Sequence, residues 1–354
     1  MIRLLIAEDS ALMRKLLSGI FKGAGDFDIA VARDGLETLE QIISFRPDVV
    51  TLDINMPKLD GLACLDRIML EHPVPVVMVS ALTEDGAEET LTALQMGAVD
   101  FIAKPEGAVS LHMDRLAGDL LAKVRAAAAV QLPRARRLAE RMRLRNASAV
   151  SVPAALRAGP PHPGASGLVV IGTSTGGPPA LDILLSNLPE TLRWPIVIAQ
   201  HMPAAFTGPL ARRLDKLSPL SISEVSGLTP LVAGGVYIAR GGTDMIIGTR
   251  AGHLVANAAP IQEDYLWHPS VDRLVRSACQ YVPAAQLLGV LLTGMGSDGA
   301  AAMAELRAAG GYTIGETRDT AVVWGMPGEL SKRGGASEML PIDEIPRRLA
   351  ELLA

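Results

Sequence analysis

The stretch IRLLIAEDS at residues 2–10 sets the reading of the chain. An apolar run, Leu4–Ala7, stops at Glu8, Asp9 and Ser10, and a helix-period segment carrying Leu12, Leu16 and Ile20 follows. Such a pattern is a buried strand that delivers acids to its carboxyl end and hands over to a helix. The unit repeats. Strands are expected at Ile29–Ala32, Val49–Leu52, Val76–Val79 and Phe101–Ala103. Between and after them, helices are carried by Leu36, Leu39 and Ile43, by Leu62, Leu65 and Ile68, by Leu91 and Leu94, and by Leu116, Leu120 and Val124. Five β-α units predict an open parallel α/β sheet, a (βα)5 domain over residues 1–125.

Working outward, the periodicity dissolves over residues 126–166 into an Ala run, a block with Arg134, Arg136, Arg137, Arg141, Arg143 and Arg145, and a Pro/Gly/Ala stretch. This is expected to be a flexible linker. Without interleaved aromatics the Arg block reads as a solvated linker helix rather than a nucleic-acid patch. Strand signals return at Leu168–Ile171, Ile196–Ala199, Val236–Ala239 and Leu287–Leu292, with helical segments between several of them. A second α/β domain is expected over 167–354, doubly wound and mostly parallel. A hairpin insertion is expected at Met245–Thr249 and His253–Val255, turning at Gly252.

The 354 residues suit two domains, and 49% hydrophobic content is enough for a core in each. A net charge of −5 provides no basic field for nucleic acid or a membrane surface, and 3% aromatics are too few for base-stacking platforms. Cys64 and Cys279 have no partner at metal-ligand or CxxC spacing, so both are expected as core residues in a reducing compartment. No run of eighteen apolar residues or export signal is present, which predicts a cytoplasmic protein without membrane insertion.

Glu8 and Asp9 follow the first strand, Asp53 the third, Ser80 ends the fourth, and Lys104 follows the fifth ahead of Pro105. In an open parallel sheet these ends share one crevice. Three carboxylates there repel unless a divalent cation neutralises them, and an all-oxygen, partly hydrated site suits Mg²⁺. A carboxylate, a metal, a hydroxyl and an ammonium on one rim are the parts that receive a phosphoryl group, with Asp53 attacking. Singly, each residue reads as a solvated loop group.

Residues 171–179, IGTSTGGPP, form a Gly-rich turn between a strand and a helix that carries Leu181 and Leu184. Such turns can cradle phosphate, but there is no GxGxxG and no Walker lysine, and Ser174 stands at the apex. The same backbone donors would suit a tetrahedral oxyanion. Of the six histidines, His72, His112 and His162 belong to the first domain, its margin and the linker. His253 lies by the hairpin turn and His268 precedes Pro269 at a helix start. His201 follows the strand Ile196–Ala199 and shares the carboxyl edge with Ser174, which makes it the expected base. Asp298, in the turn TGMGSDG at 293–299, is placed to orient it. The rival reading makes these cap and turn residues in a non-catalytic module that binds an anion or a partner protein.

The motifs IAEDS, LDINMPKLDGL, MVSA and DFIAKP resemble a response-regulator receiver, a flavodoxin-like fold. That resemblance implies phosphorylation of Asp53, metal binding by Glu8, Asp9, Asp53 and the carbonyl of Asn55, and a switch through Ser80, Phe101 and Lys104. GTSTGGP, AQHMP, YIARGG, HPSVD, LLTGMGSDGA and VVWGMPG resemble the catalytic domain of the CheB family, the chemotaxis protein-glutamate methylesterases. The resemblance implies Ser174 as nucleophile, His201 as base and Asp298 as its orienting partner, with Thr175 and the backbone of Met295 beside the reacting carbonyl. It also implies hydrolysis of glutamate γ-methyl esters on chemoreceptors and a companion glutamine deamidation. A histidine kinase of the CheA type would donate the phosphoryl group, and the ester chemistry would need no cofactor. The chain departs from the family pattern at Trp267 and His268, where His-Arg is frequent, at Arg240 and Asp244, where Pro and His are common, and at Asn55, where Glu is often seen.

Overall fold

The computed structural model describes residues 1–104, 113–130 and 167–353. Two compact units, Met1–Val150 and Ser151–Ala354, are each described by themselves. The Arg block, His112, His162, Pro105 and the linker from 131 to 166 lie outside the described residues.

In the first unit, five strands alternate with five helices: β1 (Ile2–Ala7), α1 (Ala11–Ala24), β2 (Phe27–Ala32), α2 (Gly35–Phe45), β3 (Val49–Asp53), α3 (Gly61–Glu71), β4 (Val76–Ser80), α4 (Glu84–Met96), β5 (Asp100–Ala103) and α5 (Met113–Ala128). The sheet order is β2-β1-β3-β4-β5, parallel throughout. The winding reverses between β1 and β3, so their carboxyl ends flank the crevice where such sheets bind ligands. Four helices start where a short polar side chain accepts an N-terminal amide: Ser10 from Met13, Asp34 from Glu37, Asp60 from Ala63 and Thr83 from Gly86.

The expected helical faces hold for α3 and α4 but shift by one residue in α1 and α2. Leu12 is 71% exposed while Leu17 and Phe21 are buried, Phe21 edge-on to Phe27. In α2, Leu36 and Ile43 face solvent, and Gly35, Thr38 and Ile42 face the sheet. Thr38 can be buried there because its hydroxyl donates to the Asp34 carbonyl at 2.8 Å. A stripe read from hydrophobicity alone selects the neighbouring leucines.

The second unit contains β6 (Leu168–Thr173), α6 (Gly177–Ser186), β7 (Ile196–Gln200), α7 (Ala204–Leu217), β8 (Ser221–Val225), β9 (Thr229–Pro230), β10 (Gly235–Ala239), β11 (Asp244–Arg250), β12 (His253–Ala259), α8 (Val271–Tyr281), β13 (Leu287–Leu291), α9 (Ala300–Ala308), β14 (Tyr312–Glu316), α10 (Met326–Lys332), β15 (Glu338–Leu340) and α11 (Ile345–Leu352). Its seven-stranded sheet runs β15-β14-β13-β6-β7-β10-β8, all parallel, and β11-β12-β9 form a small antiparallel sheet. The winding reverses here between β6 and β13. The hairpin turns at Ala251 and Gly252, with φ of 51° and 81°. Sequence periodicity finds β6, β7, β10, β13 and the hairpin. It misses β8, an alternating edge strand, and β14, whose buried positions include Thr313 and Glu316.

Cys64 is a core residue, its thiol pushed up to about 12 by burial and so inert. Cys279 is not: α8 buries Val271, Leu274, Val275 and Ala278, and Cys279, one position further round, is exposed. Among the described residues no helix is long and apolar enough to cross a membrane.

Gly61 shows how closely α3 docks on the third strand. A β-carbon there would stand 2.1 Å from the Asp53 carbonyl oxygen and 2.7 Å from the Ile54 Cα. Because both atoms are backbone, Gly61→Ala should destabilise the first unit by about 1–3 kcal/mol. Chemical denaturation followed by circular dichroism checks this; an unchanged midpoint would mean that the start of α3 is free to shift.

Candidate functional site

At the crest of the first sheet, Glu8 and Asp53 are buried and Asp9 is exposed, and each can offer an oxygen within 4.8 Å of the others'. Lys104 reaches in from the end of β5. Its Nζ lies 2.7 Å from Asp53 Oδ2 and 3.2 Å from Glu8 Oε2, at ion-pair distance, while its hydrogen bond goes to Glu8 Oε1 at 3.3 Å. Apart from the Lys104 ammonium, the facing oxygens Glu8 Oε2 and Asp53 Oδ2 have no hydrogen-bond donor among the described residues. Burial pushes both carboxyls above the usual range, more than Lys104 can offset, and for Glu8 the Asp53 charge adds to it. Hard oxygen donors carrying uncompensated negative charge fit a small divalent cation. Asn55 is an exposed loop residue whose amide approaches Asp53 Oδ1 at 3.4 Å. Ser80 turns its hydroxyl onto the Gly86 carbonyl in α4 at 3.1 Å, and Phe101 is buried with Lys123 Nζ 5.2 Å from its ring centre.

In the second unit, Ser174 and His201 each come one residue after adjacent parallel strands paired up to Thr173 and Gln200. The ladder continues through the His201 amide to the Thr173 carbonyl at 3.1 Å. From Ile171 to Pro178, Ser174 alone is partly accessible. His201 Nε2 meets Asp298 Oδ2 at 2.8 Å, and the other ring nitrogen, Nδ1, is buried without a partner. Asp298 also accepts from the Val271 amide at 2.7 Å, the Asp272 amide at 3.0 Å and the Ser270 hydroxyl at 3.1 Å. Burial opposes its ionisation, but His201 and those amides outweigh that and hold the carboxyl below the usual range. Of the three expected residues the structure joins His201 to Asp298 directly and sets Ser174 at the neighbouring strand end, and the ring nitrogen that Asp298 leaves unengaged is Nδ1.

The turn at 293–296 lies against Ser174. A β-carbon on Gly294 would fall 2.8 Å from Ser174 Cβ and 3.0 Å from its nitrogen, so only glycine lets the segment carrying Met295 come this near. Thr293, which sequence reasoning passes over, ties the turns together. Its carbonyl accepts from the Ser174 amide at 3.0 Å, its hydroxyl donates to the Thr175 carbonyl at 2.8 Å, and its own amide is held by buried Glu316 at 2.8 Å. Gln200 Nε2 braces the Ser174 carbonyl at 3.0 Å. Position beside a strand end was the available signal for both. His253 is exposed at the hairpin, and His268 Nδ1 is engaged by Asp244 at 3.1 Å.

The phosphate-cradle alternative fails on the first turn of α6. The Gly177 amide donates to the Ser174 carbonyl at 2.8 Å, Pro178 and Pro179 have no N–H, and the Ala180 amide donates to the Gly176 carbonyl at 3.3 Å. Among residues 177–180 no amide is left to grip an anion.

The CheB methylesterase model matches residues 169–349, and the response regulator receiver domain model matches residues 4–114. The chain is 53% identical to protein-glutamate methylesterase/protein-glutamine glutaminase 2 of Rhodopseudomonas palustris, covering 99% of this chain and 98% of that one. The chain belongs to the CheB methylesterase family. It is 50% identical to protein-glutamate methylesterase/protein-glutamine glutaminase 3 of Rhodospirillum rubrum, over 99% of this chain and 95% of that one. The solved CheB methylesterase catalytic domain of Thermotoga maritima aligns with a TM-score of 0.51 at 37% identity, covering 52% of this chain and 98% of that domain.

A cation held by Glu8, Asp9 and Asp53 stabilises the folded chain alone. Mg²⁺ at ten times its Kd should raise stability by about 1.4 kcal/mol, seen as a higher melting temperature in differential scanning fluorimetry. Asp53→Asn should lose most of that rise, and an equal rise in the variant would place the cation elsewhere.

Proposed function

We propose that this CheB-family chain is a phosphorylation-controlled serine esterase that hydrolyses glutamate γ-methyl esters on chemoreceptors and deamidates receptor glutamines, with residues 1–125 as receiver, 126–166 as linker and 167–354 as catalytic domain. The observation that carries the reading is the part-buried His201–Asp298 pair at the strand end next to Ser174, the one residue from Ile171 to Pro178 that is partly accessible. Ser174 Oγ attacks the ester carbonyl as His201 Nδ1 takes its proton. The Met295 and Thr175 backbones flank the resulting oxyanion. Asp298 stabilises the imidazolium, which returns the proton to departing methanol, or to ammonia when the substrate is a glutamine amide. Water, deprotonated by His201, then releases the glutamate and regenerates Ser174.

In the receiver, Asp53 attacks the phosphorus of a phosphohistidine on a CheA-type kinase, forming an acyl phosphate as the imidazole leaves. Glu8, Asp9, Asp53 and the Asn55 carbonyl would hold a Mg²⁺ ion, which would neutralise charge on the incoming phosphoryl oxygens. Lys104, already paired with Asp53, shifts onto the phosphoryl group, and Ser80 turns from Gly86 towards it, with Phe101 repacking. Chemoreceptor substrates and a kinase donor make the cytoplasm the site of action.

Ser174→Ala should reduce methanol release from a methylated receptor fragment by at least about 10³-fold, and adding His201→Ala should cost little more, because members of one catalytic unit are not additive. Activity retained in Ser174→Ala would remove the serine-esterase reading. Labelling of Ser174 by a fluorophosphonate distinguishes turnover from a pure binding module. If the unphosphorylated receiver holds the esterase inactive, moving that equilibrium from 99:1 to 1:99 takes about 5.5 kcal/mol, to which a dianionic phosphoryl group contributes. Deleting residues 1–125 should raise basal activity and make it indifferent to acetyl phosphate. A deletion no faster than the unphosphorylated full chain would show that the receiver does not mask the site.

A further inference from the structure

His201 is held in its plane by more than Asp298. The Trp267 indole stacks on the imidazole with ring centres 5.6 Å apart and planes 2° from parallel. Its far edge reaches the 293–299 turn, where a β-carbon on Gly296 would sit 2.8 Å from Trp267 Cζ2. The indole thus spans from the β7 end to the β13 end.

The strap that carries it, Trp267 to Ser270, is anchored by one buried carboxylate. Asp244, at the start of β11, receives His268 Nδ1 at 3.1 Å, the Ser270 amide at 2.8 Å and Arg273 at 2.5 Å. Arg273 also donates to the Pro260 carbonyl at 2.6 Å, and the Gly242 amide to that of His268 at 3.3 Å. At its other end the strap places the Ser270 hydroxyl on Asp298 at 3.1 Å. One carboxylate therefore fixes both the stack on His201 and one of the donors to Asp298.

A single hydrogen bond at Nε2 pins one atom of the imidazole and leaves the ring free to swing, since Nδ1 has no partner. A flat, half-buried face against it removes that freedom. We propose that Trp267 is a positioning residue, holding the His201 ring in the plane that keeps Nε2 on Asp298 and Nδ1 towards Ser174, and that Asp244 is the anchor of its strap. The inference rests on the esterase reading above.

The test is steady-state hydrolysis of a methylated receptor fragment by the full-length chain, with fluorophosphonate labelling in parallel. A misplaced base lowers turnover rather than substrate binding, so Trp267→Leu, which keeps apolar cover but has no flat face, should lower kcat by about 10–100-fold with KM little changed, and should slow labelling. Trp267→Phe, which can still stack, should recover most of the loss. Asp244→Asn should lower kcat in the same way. Wild-type kcat in Trp267→Leu, a change confined to KM, or a Phe variant as slow as the Leu variant would each overturn the proposal. A wild-type chain that neither labels nor hydrolyses would instead remove the esterase reading beneath it.

Discussion

A carboxylate as deeply buried as Asp298 stays ionised only if donors replace the water it has lost, and in the second domain they come from three directions. His201 arrives from β7, two amides from the start of α8, and a hydroxyl from the strap before α8. Each donor constrains its own element. Helix α8 has to begin where Val271 and Asp272 point their amides at Asp298, so its N-cap must be Ser270, whose hydroxyl both bonds Asp298 and receives the Arg273 amide at 3.2 Å. The hairpin strand β11 has to supply Asp244 to hold that N-cap in place. The parallel sheet sets the strand ends side by side; satisfying this charge decides how the loops above them run.

The receiver presents the opposite electrostatic arrangement in a similar crevice. Asp298 accepts four hydrogen bonds and its carboxyl lies low, whereas Glu8 and Asp53 share one ammonium and lie high. The completed site works as a fixed partner to a histidine. The incomplete one, three carboxylates against one ammonium, gains stability from arriving positive charge. Both occupy the point where the winding reverses, β1/β3 in one sheet and β6/β13 in the other, because neighbouring loops there diverge to opposite faces and leave a gap.

Much of this was legible in the sequence because it depends on strand ends. Acids after apolar runs, a serine between glycines and a histidine one step past a strand are visible without coordinates, and parallel pairing brings them together. What was hidden depends on contacts remote in sequence. Thr293 looks like an ordinary turn residue until its hydroxyl is seen clasping Thr175. Asp244 and Trp267 stand out in the sequence only as departures from a family pattern, and their link, from β11 through the strap to His201, spans three elements. Helical faces failed where Thr38, a polar residue that bonds its own backbone, takes the buried position in place of leucine.

The first turn of α6 decides what the serine turn can do. Gly-rich strand-to-helix turns ordinarily leave amides free for an anion, but two consecutive prolines and two internal hydrogen bonds use up this one. The helix dipole still points at Ser174 and favours negative charge there, yet dipole alone grips nothing. Residues 177–180 therefore offer no directed donor to an anion at Ser174. The segment pressed closest is the 293–296 turn, held against the serine by Thr293 and by Gly294, where a side chain would collide with Ser174 and Met326.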